Sequence, residues 1–187
     1  EHIEFGSPRF LPNSIRTIVM GMGEINNIDP SWLDPALQSD VILVFGSSYI
    51  KDPLADLLIR KSAINIHMGV SPYYRGSACN FWALYDGMPG YVGATIHFLS
   101  KGLDSGPILC HVLPVIPDGE VLDGFGLGMR AVKSALKTVT TLIEKNSWRE
   151  IDPIIQDKTL ELRYSRKNDF TEQIVDEYLA RMLTASQ

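Results

Sequence analysis

Asn65 and His67 stand two positions apart at the end of the apolar run 63–66, so on an extended chain both side chains leave the same face. An amide and an imidazole aimed into one cleft can donate hydrogen bonds to a developing oxyanion and carry a proton, which is what acyl transfer requires. Position alone leaves a second reading equally open: Asn65 tying down a neighbouring loop and His67 sitting as a hydrogen-bonded histidine of the core. Asp104, within Gly102-Leu103-Asp104-Ser105-Gly106-Pro107, reads by itself as a loop aspartate that accepts backbone hydrogen bonds in an Asx-turn. If the hairpin carrying it packs beside 63–66, its carboxylate reaches His67 and stabilises the imidazolium by pairing.

Several elements must bring these groups together. Residues 41–45, all apolar and followed by Gly46, suit a strand buried on both faces of a parallel sheet. Asp52-Pro53 offers an N-cap and a first-turn proline to a short helix carrying Leu54, Leu57 and Leu58. With 63–66 as the next strand, the three form a βαβ unit, whose ligands sit beyond the carboxyl ends of the strands. Those ends are Gly46 onward and Asn65 onward. Residues 68–77 read as loop and 78–85 as a short helix closed by Asp86-Gly87. Residues 92–99 alternate, with Val92, Ala94, Ile96 and Phe98 on one face and Thr95 and His97 on the other, and 108–115 is the expected antiparallel partner. Phe125, Met129, Val132, Leu136, Val139 and Ile143 make one stripe of a long helix that covers the sheet. A loop-rich lead-in over 1–38 and a surface helix over 171–183 complete the chain. The expected class is α/β, a mixed, mostly parallel sheet flanked by helices.

The 187 residues match one domain, and 45% hydrophobic with 21% charged residues excludes disorder as the main state. The apolar run 41–45 is far short of the roughly 20 residues a membrane helix needs, and residues 1–4 do not read as a signal peptide. A cytoplasmic protein without a membrane partner is expected. Lys and Arg total 17 against 22 Asp and Glu, a net charge of -5 with no basic block, so no nucleic-acid partner is expected. Cys79 and Cys110 lack Cys-x-x-Cys spacing and read as free, buried thiols. His97, Cys110 and His111 make a poor metal set, because adjacent strand residues point to opposite faces; no metal is expected. Gly21-Met22-Gly23 and Gly124-x-Gly126-x-Gly128 lack the context of a phosphate-binding loop. Tyr73, Tyr74, Trp82 and Tyr85 read as packing and pocket walls. Arg75 is the cation best placed for an anionic substrate group, or else it caps a helix or pairs with a carboxylate.

Ala63-Ile64-Asn65-Ile66-His67, Ser71-Pro72-Tyr73-Tyr74-Arg75-Gly76, Gly93-Ala94-Thr95-Ile96-His97-Phe98 and Leu103-Asp104-Ser105-Gly106-Pro107-Ile108 closely resemble, in order and spacing, the successive motifs of the folate-dependent formyltransferases. The resemblance covers approximately residues 40–143. It implies a Rossmann-like formyltransferase domain over 1–150, short of N-terminal βα units, followed by a C-terminal extension over 151–187. It implies formyl transfer from 10-formyltetrahydrofolate to a primary amine of a small substrate, with Asn65, His67 and Asp104 as catalytic residues. A hydrolase of the same donor and a folate-binding protein without turnover are the alternatives.

In the implied mechanism Asn65 and protonated His67 donate to the oxyanion, while Asp104 orients His67 and relays the amine's proton. Backbone groups of Tyr49, Ile50 and Lys51 and of Leu99, Ser100, Lys101 and Gly102 would hold the pterin. The Ser71-Pro72 bond would be cis. Met68-Gly69 replaces the Pro-Ser pair frequent in the family, giving a more mobile loop or a closer approach for the acceptor. The short, mixed-charge C-terminal part favours a small amine over a tRNA acceptor, and the exposed side of 151–162 is a place where a second copy could pair.

Overall fold

Four strands build the main sheet of the computed structural model, which describes residue 5 and residues 15–120 and 122–185. The early part of the expected lead-in, residues 1–4 and 6–14, lies outside the described residues; the rest of it is turns, 3-10 segments and a one-turn helix, α1 (Asp34–Leu37). β1 (Leu43–Phe45), α2 (Leu54–Arg60) and β2 (Ile64–His67) form the expected βαβ unit, with β1 parallel to β2 in the register Val44 to Asn65. β3 (Tyr74–Gly76) and α3 (Cys79–Tyr85) follow, then β4 (Ala94–Phe98) and β5 (Ile108–Val112) as an antiparallel pair, with β4 also antiparallel to β2. The strand order β1-β2-β4-β5 makes a mixed sheet flanked by helices. The long helix α4 (Gly124–Glu144) covers β4 and β5, and β6 (Arg163–Ser165) and α5 (Glu172–Ala185) end the described chain.

The core divides along the sheet. Ile64, Ile66, Ala94, Ile96 and Leu109 pack under Ala135 and Val139 of α4, while Val44 packs on Leu54 and Leu58 of α2. The opposite face of β2 and β4 carries Asn65, His67, Thr95 and His97, so the polar members of the two strands share one side. Gly46 onward and Asn65 onward open at the same end, as a βαβ unit requires.

Four local expectations need correction. β1 is shorter than 41–45 and not buried on both faces: only Val44 is covered, and Leu43 and Phe45 are about half exposed at 44% and 45%. An all-apolar run signals two covered faces, yet at this sheet edge the described residues cover only one. Asp52 does not cap α2; Pro53 holds the N-cap position without a side-chain bond, and Asp52 pairs instead with Lys101. Residues 68–77 are not all loop, because 74–76 form β3, which pairs in parallel with β6. The two unlike faces of β4 are as expected, and its polar face is covered too, since Thr95 and His97 are buried as fully as Ala94 and Ile96. In α4 the buried residues are Ala131, Ser134, Ala135 and Val139, while Phe125 is exposed. Close approach of this helix to the sheet selects small side chains, which turns the buried stripe by about one residue from the larger ones.

Cys79 and Cys110 are both free thiols, Cys79 buried and Cys110 half-buried. The Ser71-Pro72 bond is cis, as the resemblance implied, and so is Asp52-Pro53. No helix among the described residues is long and apolar enough to cross a membrane.

Candidate functional site

Cross-strand register creates the centre of the site. Antiparallel pairing places Asn65 opposite His97 and His67 opposite Thr95. The Asn65 Nδ2 lies 3.0 Å from His97 Nε2, and His97 Nδ1 lies 2.8 Å from the Phe98 carbonyl. A carbonyl only accepts, so Nδ1 carries the hydrogen and Nε2 of the neutral ring accepts from the Asn65 amide. His97 thereby fixes which way Asn65 turns. Burial, above all, holds the His97 imidazole below the ordinary histidine pKa of 6.5, in keeping with that neutral form.

The sign of the resulting pH dependence follows from this depression. The unfolded chain takes up the His97 proton at a higher pH than the folded one, so this contribution to stability is complete above pH 6.5 and is lost as pH falls toward the folded value. Thermal unfolding at pH 7.5 and 5.5 tests it: the wild type loses more stability on acidification than His97→Gln, which keeps an acceptor for Asn65. Equal losses would remove His97 from the account.

His67 is buried, with its Nδ1 3.3 Å from Asp104 Oδ1 and its Nε2 3.2 Å from the Tyr74 carbonyl. Both partners only accept, so the ring satisfies both when both nitrogens carry hydrogen. The Gly76 N–H donates to the other Asp104 oxygen at 3.3 Å. Asn65, His67 and Asp104 thus converge on one cavity, of about 420 Å3, together with His97 and Cys79. Burial pushes the Cys79 thiol up to about 12, with the nearby Asp104 carboxylate adding to it, so Cys79 faces the cavity as a neutral thiol.

The two expected folate-holding segments border the same cavity, but unequally. Tyr49, Ile50, Leu99, Ser100 and Gly102 line it, whereas Lys51 and Lys101 do not. Lys101 Nζ is paired with Asp52 at 3.2 Å and Asp56 at 2.9 Å. Its carbonyl accepts from the Tyr49 hydroxyl at 2.8 Å, which ties the two segments together. The Asn26 side chain donates to the Tyr49 carbonyl at 2.9 Å and accepts from the Lys51 N–H at 2.7 Å. Among the described residues, the N–H and C=O of Ile50 carry no such partner.

Arg75 is not available to a substrate anion. It is buried, with Nη1 2.8 Å from Glu161 and Nη2 donating to the Leu103 carbonyl at 2.5 Å. The carboxylate-pairing alternative is the one the structure adopts. A Cβ at Gly69 would stand 2.5 Å from the Cys79 Cβ and 2.6 Å from His67 Nε2. A bare backbone at this position lets α3 approach the histidine. His111 Nε2 lies 2.6 Å from the Ser71 carbonyl, and no group of three metal-ligating side chains occurs among the described residues.

Sequence reasoning did not assign His97 or Cys79 to this site. The signal for His97 was its place on the polar face of its strand, which becomes informative only once the pairing register with Asn65 is known. Cys79 gave no signal beyond its position just after the 71–76 motif.

Residues 35–123 match the family model described as formyl transferase. Methionyl-tRNA formyltransferase of Synechococcus sp. (strain JA-3-3Ab) is 32% identical over 124 residues, which is 65% of this chain and 37% of that protein. The chain therefore spans little more than a third of the length of that relative. Among solved structures, formyltransferase PseJ from Anoxybacillus kamchatkensis, in complex with UDP-4,6-dideoxy-4-formamido-L-AltNAc and tetrahydrofolate, superposes with a TM-score of 0.58 at 24% identity, covering 76% of this chain and 70% of that one. A 4-N formyltransferase from Francisella tularensis gives 0.57 at 22%, covering 83% and 69%. At these identities the two structures share the fold.

Proposed function

The chain belongs to the folate-dependent formyltransferase family, with its Rossmann-like fold, and from that premise we propose that it transfers a formyl group from 10-formyltetrahydrofolate to a primary amine of a small substrate. The observation that carries this reading is the convergence of Asn65, His67 and Asp104 on one cavity wall, with Ile50 and Leu99 on the same cavity. The cavity has the size that small-molecule and cofactor sites usually have. The backbone N–H and C=O of Ile50 would read the edge of the pterin, because Asn26 already occupies the neighbouring Tyr49 and Lys51 groups.

When bound, the folate supplies an activated formyl carbon. Asn65, oriented by His97, would donate a hydrogen bond to the formyl oxygen as an amine attacks and charge develops there, and the His67 Nε2–H would join it by exchanging the Tyr74 carbonyl, 3.2 Å away, for that oxygen. Asp104 holds the His67 ring by Nδ1 and helps carry the proton from the amine toward the departing nitrogen. The net charge of -5 and the absence of a basic block favour a small amine over tRNA, whose binding draws on clustered cations. PseJ, solved with a formamido sugar nucleotide and tetrahydrofolate, is a precedent for such a pair of ligands on this fold.

Calorimetric titration of the chain with 5-formyltetrahydrofolate, a non-transferring analogue of the donor, tests the reading. Saturable one-site binding is expected. Absence of binding by a chain shown to be folded would overturn it. Formate release from 10-formyltetrahydrofolate that is unaffected by added amines would assign a hydrolase instead.

A further inference from the structure

We infer that Gln156 is a positioning residue for Asp104, so that the segment after the long helix helps to build the site; the inference rests on the proposed role of Asp104 beside His67. Asp104 has a φ of 48°, the left-handed region that L residues other than glycine, asparagine and aspartate seldom occupy. Aspartate tolerates that region better than most, yet it still costs a non-glycine residue energy that its surroundings must offset. Its own carboxylate makes only long contacts, 3.3 Å to His67 and 3.3 Å to Gly76, so the carboxylate contacts are weak anchors for the loop.

The backbone of the loop is held from outside. Gln156 Nε2 donates to the Asp104 carbonyl at 2.9 Å and to the Gly106 carbonyl at 2.7 Å. One NH2 group thus spends both hydrogens on carbonyls two residues apart, which fixes the curvature of the turn between them. The Leu103 carbonyl is taken by Arg75, itself paired with Glu161. The other end of the Gln156 amide, Oε1, is buried without a partner, so the side chain is oriented by its donor end alone. Two positions earlier, Ile154 exchanges both backbone hydrogen bonds with Ile108, at 2.8 and 2.9 Å, which anchors Gln156 to the first residue of β5.

This arrangement is specific for an amide. A carboxylate at 156 would face two carbonyl oxygens and repel both, and an apolar side chain would leave both without a donor. In either case the turn relaxes toward negative φ and the Asp104 carboxylate withdraws from His67 Nδ1. Folding need not fail, because Arg75 and Glu161 still hold the neighbouring carbonyl.

Gln156→Glu and Gln156→Met, the second keeping length and apolar stem in case the first does not fold, are compared with the wild type by two readouts. The first is the downfield Nδ1–H proton resonance of His67, assigned by its loss in Asp104→Leu. It is expected in the wild type and weakened or lost in the folded Gln156 variants. A signal unchanged in folded variants overturns the inference. The second is formyl transfer, where kcat falls on the order of 10- to 100-fold, as expected for a displaced catalytic group, with KM for the folate changed less than about twofold. Loss of the resonance without a fall in kcat would sustain the role of Gln156 and count against the assignment of Asp104 to catalysis.

Discussion

Exchanging His67 for alanine lowers the rate of formyl transfer about 100- to 1,000-fold, the usual cost of removing one donor to a developing oxyanion, while 5-formyltetrahydrofolate still binds. The ring contacts Asp104 and the Tyr74 carbonyl, not the backbone groups of Ile50 or Leu99 on which the pterin would rest, so transfer and binding separate. Removing the ring also leaves two buried acceptors without a donor, a stability cost of about 1–3 kcal/mol. The rates are therefore to be compared well below the unfolding transition of the variant. Single-turnover consumption of 10-formyltetrahydrofolate with a panel of amines gives the comparison. A variant within tenfold of an active wild type would move the chemistry elsewhere in the cavity. Tight folate binding with no turnover in the wild type would leave a binding protein.

The second large effect is on stability. Gly76 has a φ of 95°, and a Cβ placed there would lie 1.9 Å from the Ser165 carbonyl oxygen, which is backbone of β6 and cannot step aside without breaking the strand pair. Gly76→Ala therefore combines an unfavourable backbone conformation with a steric clash, for roughly 3 kcal/mol and a Tm about 10 °C lower at this chain length. Gly90→Ala is the control, since its φ is not in the left-handed range and nothing lies within 4 Å of the added methyl. Thermal and urea unfolding of both variants make the test. A loss at Gly76 no larger than at Gly90 would mean that β3 and β6 are not held as closely as described.

The two residues of β2 were legible because their signal is local: period two places Asn65 and His67 on one face, and the carboxyl end of a βαβ strand is where ligands sit. Asp104 was legible only through the order of motifs, as nothing local distinguishes a loop aspartate that pairs with a histidine from one that caps a turn. Arg75 illustrates the opposite failure. Its type pointed to a substrate anion, and its fate was set by Glu161, whose proximity no window of sequence contains. β3 and β6 escaped for the same reason, being three residues each and paired across positions 89 apart, Tyr74 with Arg163 to Gly76 with Ser165. In α4, large apolar residues dominate any reading by hydrophobicity, while the fully buried residues are Ala135, which packs on the sheet, and Ala131, which packs beside Trp82 and Val92.

The pairing of β3 with β6 also sets an order of events when the chain folds. β2, β4 and β5 are near neighbours in sequence and close early, whereas Arg75 must wait for Glu161 and the Asp104 loop for Gln156. Contacts so distant along the chain form late, because the entropy of closing the intervening loop is spent before they return any stability. During synthesis at about 5–20 residues per second, a nascent chain holds Asn65 and His67 on a formed sheet for several seconds before the residues that secure Asp104 emerge. The protein therefore acquires the framework of its pocket first and the alignment of its carboxylate last, and a chain cut short before Gln156 would keep the former without the latter.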